Sequence, residues 1–259
     1  MSEETMQTQE VEKEVEKRAG KSTKKFDFFK IFDVKVFDYT VGQLMMFAIF
    51  CAFCGFMVEN IGRTIDQGIF DGRYMFLPFI FGYGIGVLIA YLALGRPSGF
   101  RIFSIRILKE DTKKNKVIRC LLYYLTAFII ITMSEWGFGT LVEAVTGQKL
   151  WNYSNMWGHI GRYASLPTSF GFSSGVFVVM EFLMPPLMKL FGKISNKATL
   201  GIAFTLLCLM FADTMYMMIR LFVMHDSTQH WRIVFPWAKE KAAAMAIRSV
   251  SYTHLTLPT

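Results

Sequence analysis

The chain has 259 residues, 53% of them hydrophobic and 16% aromatic, with a mean hydropathy of +0.35 and a formal net charge of +8. Apolar runs near or above about 18–20 residues recur, which excludes an ordinary soluble domain and leaves an all-α, polytopic helical membrane bundle. No long two-residue alternation favours a barrel. The Lys and Arg excess sits between the oily runs, so it speaks for membrane orientation, and nucleic acid is not expected as a partner.

Residues 1–39 form a polar tail of mixed charge without a signal-peptide pattern. Its last stretch, FDFFKIFDVKVFDY, interleaves aromatics with Lys and reads as an interfacial segment. A transmembrane bundle of about five helices is expected over 40–224, with spans near 40–61, 74–95, 118–147, 168–191 and 199–224. The third is long enough to tilt or to project. Pro185-Pro186 is expected to break the fourth. Residues 225–248 read as a C-terminal extramembrane segment, and 249–259, SVSYTHLTLPT, as a non-native tail set apart from the fold.

Charge sets the expected orientation. Residues 1–39 and the loop 96–119 carry eight Lys or Arg each, and the turn after the fourth span adds Lys189, Lys193 and Lys197. The alternate loops carry only Arg63 and Arg73, then Lys149 and Arg162. The positive-inside rule places the N-terminus and the 96–119 loop in the cytoplasm. Arg232, Lys239 and Lys241 run against this pattern.

Several motifs carry no chemistry. Cys51 and Cys54 have redox spacing but lie mid-span, where small buried thiols are the simpler reading. No Walker A pattern occurs, and GYGIG at 82–86 lies within a span rather than after a strand. Gly82 with Gly86, and Gly171 with Gly175, have the small-xxx-small spacing of close helix packing. The four His residues lack ligand spacing, so neither metal nor cofactor is expected and no enzyme signature stands out.

Ionisable residues inside the spans are more informative, because a charge at mid-bilayer costs about 3 kcal/mol on insertion scales. Glu59 lies near the end of the first span and Arg63 one turn on, which predicts a pair. Glu135 and Glu143 are eight apart on one side of the third span and are expected to line a polar cavity. Asp213 and Arg220, seven apart, share a face of the fifth, and Glu181 lies in the fourth. Gly147 is expected to cap the third helix, and Trp151, Tyr153 and Trp157 to form an interfacial aromatic belt.

Two stretches carry a family likeness. GFMVENIGRTIDQGIFDGRYMFLPFIFGYG (55–84) combines a Glu at Glu59, a basic residue, a Gly-containing loop and a Pro-and-Gly helix start. The second runs through Glu143, Gly147, Trp151, Asn152, Tyr153, Ser154, Gly161 and Arg162 into a fresh apolar helix. Over about 40–191 the chain resembles the ABC-transporter type IV, or CmpB-like, bacterial membrane proteins. Asn152 stands where Asp is more usual. The resemblance implies a bacterial inner-membrane protein, a permease without its own ATPase domain. The ATPase would then be a separate subunit, with the 96–119 loop as the surface it docks on. Transport is the favoured function and no enzyme activity is expected. The alternative is a non-transporting scaffold or sensor. The lipid bilayer is the expected partner, and a homo-oligomer stays open.

Overall fold

The computed structural model describes residues 34–237 except 148, 150 and 227. The expectations for most of the N-terminal tail, for Lys239 and Lys241 and for the 249–259 tail lie outside those residues. A small hairpin, β1 (Lys35–Val36) with β2 (Tyr39–Thr40), leads into α1 (Val41–Gln67). Strand β3 (Ile69–Asp71) and an irregular stretch precede α2 (Phe81–Leu94). A second hairpin, β4 (Arg101–Ile102) with β5 (Ile105–Arg106), leads to α3 (Lys113–Thr146). Strands β6 (His159–Ile160) and β7 (Ala164–Ser165) pair before α4 (Leu166–Phe191). Helix α5 (Lys197–Val223) follows, and β8 (Arg232–Val234) returns to pair antiparallel with β3.

Local chemistry sets these boundaries. Thr40 and Gln43 form a reciprocal capping box at the start of α1, and Gly68 closes that helix with φ +65°. Thr112 caps α3 by accepting from the Asn115 amide. Gly147 ends α3 as its sequence implies, with φ +69° and its amide donating to the Glu143 carbonyl at 2.8 Å. Pro185-Pro186 does not break the fourth helix. Val179–Leu183 form a π turn, and the helix runs on to Phe191. Pro185 has no N–H to give the Glu181 carbonyl, and the Arg96 guanidinium lies 3.5 Å from that oxygen. The Glu181 carboxylate accepts the Ser98 amide at 3.0 Å, so this acid ties α4 to the 3-10 turn Pro97–Gly99.

Four helices, α1, α3, α4 and α5, are long and apolar enough to cross a membrane. The expected second span is shorter than its apolar run: α2 has 14 residues, about 21 Å at 1.5 Å per residue, against a hydrocarbon core of about 30 Å. Residues 74–80 are not helical. Helix α1 is the central element. Half of its apolar window is buried, against 22% for α3 and α4 and 17% for α5. The outward stripe Leu121, Leu125, Ile129 and Met133 on α3 repeats every four residues and forms its lipid-facing side. The main core, with Phe47, Tyr91, Tyr123, Met180, Met184 and Met188, joins α1 to α4.

The helices alternate in direction, so one end of the bundle gathers β1–β2, the 95–112 segment and the α4–α5 turn. This is the basic end. The other, the loop end, gathers 68–80, 147–165 and 224–237.

Close packing does not use the glycines expected for it. A Cβ added at Gly82, Gly86, Gly171 or Gly175 would meet nothing within 4 Å. Tight positions lie elsewhere, among them Gly84, where a Cβ would lie 2.6 Å from the Ala48 carbonyl oxygen of α1. We expect Gly84→Ala to push α1 and α2 apart and to destabilise the protein by about 1–3 kcal/mol. Gly86→Ala, facing open space in a helix interior, should be neutral or stabilising by up to about 1 kcal/mol. Thermal unfolding of both variants in detergent compares them directly.

Candidate functional site

The polar residues singled out in the sequence gather at the loop end, but their pairing follows the fold rather than helix spacing. Glu59 does not pair with Arg63. Its Oε2 lies 2.5 Å from Arg73 Nη2, and its Oε1 accepts the Tyr83 hydroxyl at 2.9 Å. Arg63 reaches instead to Asp71, placing Nη1 2.7 and 2.9 Å from the two carboxylate oxygens. Asp71 is 1% exposed. Its backbone amide donates to Asn60 Oδ1 at 2.9 Å, and its own Oδ1 accepts the Arg73 amide at 3.1 Å. The end of α1 and the turn after β3 are thus locked by one buried carboxylate.

Asp213 and Arg220 are also not partners. Asp213, buried in α5, accepts the amides of Phe76 (3.1 Å) and Leu77 (2.8 Å). Arg220 pairs with Asp226 and places Nη1 2.6 Å from His230 Nε2. The His230 ring stacks on Phe76 with centroids 3.6 Å apart. These contacts hold the segment after α5 against the irregular segment before α2. The Arg220 guanidinium and the Thr228 hydrogen bonds keep the Asp226 carboxyl well below the usual carboxylate range.

Glu135 and Glu143 have different surroundings. Glu143 is occupied: it pairs with Arg162 and accepts the Tyr163 hydroxyl at 2.7 Å. This clamp fixes the 151–163 loop over α3. Within the loop, Trp151 Nε1 donates to the Tyr163 carbonyl at 2.8 Å, and the Tyr153 amide to the Arg162 carbonyl at 2.7 Å. Asn152 Oδ1 accepts the Ser154 amide at 2.9 Å, an Asx turn that Asp or Asn serves equally. Gly161, with φ +61°, lets the backbone pass Trp136, whose Nε1 would lie 3.0 Å from an added Cβ.

Glu135 differs from these acids. Its Oε2 is buried and has no hydrogen-bond donor among the described residues, with the Thr168 side chain beside the carboxyl. The Tyr153 phenol comes down from the loop into the combined field of Glu135, Glu59 and Arg73. Burial and the two carboxylates push its pKa up to about 12, so it remains a hydroxyl donor at any physiological pH. Tyr83 and Phe172 face each other across the same region, with centroids 6.3 Å apart. The polar cluster built from α1, α3, the 72–80 segment and the 151–163 loop therefore holds a neutralised Glu59–Arg73 pair, a phenol and one carboxylate without a cation among the described residues. It is chemically suited to a cation, a proton or a hydrogen-bond donor. Neither Arg73 nor Tyr83 was marked as a site residue in the sequence. Arg73 stood out only as one of few basic residues in a loop poor in them, and Tyr83 gave no signal within its oily run.

Two substitutions test this reading of the polar layer. Asp213→Ala orphans two backbone donors at about 1–3 kcal/mol each, so a loss of roughly 2–5 kcal/mol is expected, and Asp213→Asn, which retains an acceptor oxygen, should lose less. For Asp226 the folded carboxyl is depressed, so its contribution is present above the unfolded value near 3.8 and fades as pH falls below it. Asp226→Asn should lower the unfolding midpoint at pH 7, and the difference from wild type should shrink progressively below about pH 4.

Comparison with known proteins places this geometry. No curated protein matches the chain. No solved structure matches it either. A family model described as "Putative ABC-transporter type IV" matches residues 45–218, about two thirds of the chain, covering α1 to α5 and both stretches that carry the likeness. The chain belongs to the ABC-transporter type IV family.

Proposed function

We propose that this multi-pass membrane protein is a permease-type transport component without an ATPase domain of its own, and that a cleft opening between Glu59 and Glu135 forms part of its pathway. The observation that carries the reading is the buried Glu135 oxygen without a donor, held within a span beside the Tyr153 hydroxyl. An unpaired carboxylate at such depth is costly unless water or a passing ligand satisfies it. The other ionisable groups around it are already matched: Glu59 with Arg73, Arg63 with Asp71 and Glu143 with Arg162. The family assignment supports a transport role. The substrate side of the cleft favours a cationic or donor-rich group, and energy would come from a separate nucleotide-binding subunit. The scaffold reading leaves the unsatisfied carboxylate without a use.

Accessibility tests the pathway. In a background with Cys51, Cys54, Cys120 and Cys208 replaced by Ser, Glu135→Cys should react with a membrane-impermeant, charged thiol reagent in intact cells. Leu125→Cys, on the lipid-facing stripe, should not. Affinity purification from native membranes should bring down a stoichiometric nucleotide-binding subunit, and Glu135→Gln should retain that subunit while abolishing flux. An unreactive Glu135→Cys together with full activity of Glu135→Gln would remove the cleft from the pathway.

A further inference from the structure

At the basic end, a cavity of about 390 Å³ opens between the 3-10 turn Pro97–Gly99, the 106–112 segment and the first turns of α3. Arg106, Lys113, Lys116 and Arg119 line it, and Asp111 is the only acid among its lining residues. That acid is already used: its Oδ1 accepts from Arg106 and from Arg119, each at 2.7 Å. Both guanidinium groups hold the Asp111 carboxyl below the usual carboxylate range, so it stays a fixed anion that positions two cations. The cavity wall keeps a net positive charge.

Arg119 is the least expected member. It is 2% exposed, its Nη1 donates to the Leu108 carbonyl at 2.8 Å, and its buried Nε has no partner among the described residues. A buried guanidinium with an unused donor on a cationic cavity is suited to an anion. The start of α3 adds to this field. Thr112 caps Asn115, which leaves the first amides of a 34-residue helix facing the same region with the positive end of the helix dipole.

A second, independent feature identifies the source of the anion. The β4–β5 hairpin beside the cavity exposes Ile102, Phe103, Ile105 and Leu108, and Val117 continues the apolar rim on α3. Phe103 and Leu108 are held with positive φ, +51° and +52°. Phe103 is pinned at the turn by donating its amide to the Ala93 carbonyl at 2.6 Å. Apolar side chains around a cationic cavity, at the level where α3 leaves the bilayer, fit acyl chains beside a phosphate.

We propose that this cavity binds the phosphate of an anionic phospholipid headgroup, drawn from the inner leaflet on the orientation that the loop charges imply. Lys113 and Lys116 neutralise the phosphate, Arg106 and Arg119 give it directed donors, and the hairpin rim packs on the chains. The site does not depend on the transport reading, since it lies at the opposite end of the bundle from Glu135.

The test is thermal unfolding of the full-length protein in mild detergent with four additives: dioctanoyl phosphatidylglycerol, dioctanoyl phosphatidylcholine, glycerol phosphate and inorganic phosphate. Phosphatidylglycerol should raise the midpoint in a saturable way, and phosphatidylcholine should not. Lys113→Gln with Lys116→Gln, both exposed positions, should require about tenfold more lipid or higher for the same shift. Arg106→Gln should act in the same direction, whereas Lys193→Gln with Lys197→Gln, at the other turn of the basic end, should behave as wild type. Three results would overturn the proposal: unchanged lipid response in both cavity variants, equal shifts with the two lipids, or a full shift with inorganic phosphate or glycerol phosphate alone. The last would assign the cavity to a soluble phosphate compound.

Discussion

The loop end is organised by the backbone of residues 73–80, a non-helical segment set against an apolar bundle. In such surroundings each amide needs a named acceptor. The Arg73 amide goes to Asp71, Tyr74 to the Gln229 side chain, Met75 to the Gly72 carbonyl, and Phe76 and Leu77 to Asp213. Pro78 has no amide to place. Phe79 donates to the Leu77 carbonyl and Ile80 to that of Ala52 in α1, at 2.9 and 3.1 Å. The shortness of α2 is tolerable because α1, α5 and the segment after α5 supply acceptors for what the missing helical turns would have bonded internally.

That constraint sorts the ionisable residues by task. Asp213 and Asp71 are buried where they accept backbone amides, so each carboxylate acts as a structural cap. Glu181 does the same at the opposite end, where Pro185 frees a carbonyl and Ser98 needs an acceptor. Glu143 fastens a loop. Once these acids are assigned, Glu135 remains, and its distinction lies in what it lacks. The same logic applies in reverse to Arg119, a cation whose local partners leave one donor over. Each end of the bundle therefore carries a charged side chain incompletely answered by the fold, of opposite sign.

The class of the fold was legible because a bilayer leaves few alternatives to an apolar run of spanning length, and the end of α3 because Gly147 is a local stop signal, whereas Pro185-Pro186 promised a break that the helix does not make. The pairings were not. Glu59 and Arg63 sit one turn apart, yet each finds a partner brought in by β3 and its turn, Arg73 and Asp71, where burial makes the electrostatic interaction stronger than a one-turn helix pair. Asp213 and Arg220 share a face in the sequence, but an acceptor was needed at Phe76 and Leu77, 137 and 136 residues away in the chain. Glycine spacing misled similarly. Gly82 and Gly86 have the expected interval, but α2 presents Gly84 to Ala48, because the contact depends on how the helix is rotated and no spacing rule encodes that. Residues 74–80 read as helix because they are apolar. Pro78 restrains the residue before it to extended geometry, and Asp213 makes the resulting irregular backbone sustainable.

The strand pair β3–β8 has a consequence for the order in which the molecule is made. Residues 69–71 emerge early and are joined to 232–234, which emerge about 160 residues later, while Asp213 lies in α5. The first two helices therefore enter the membrane with their connecting segment still lacking several of its acceptors. A chain lengthening at about 5–20 residues per second spends roughly ten seconds or more in that incomplete condition before α5 arrives. During that interval water at the membrane surface, or an insertion factor, must stand in for Asp213 and β8. Closure of the bundle is thus a late event set by α5, and truncation within α5 would strand the first hairpin of helices rather than simply shorten the protein.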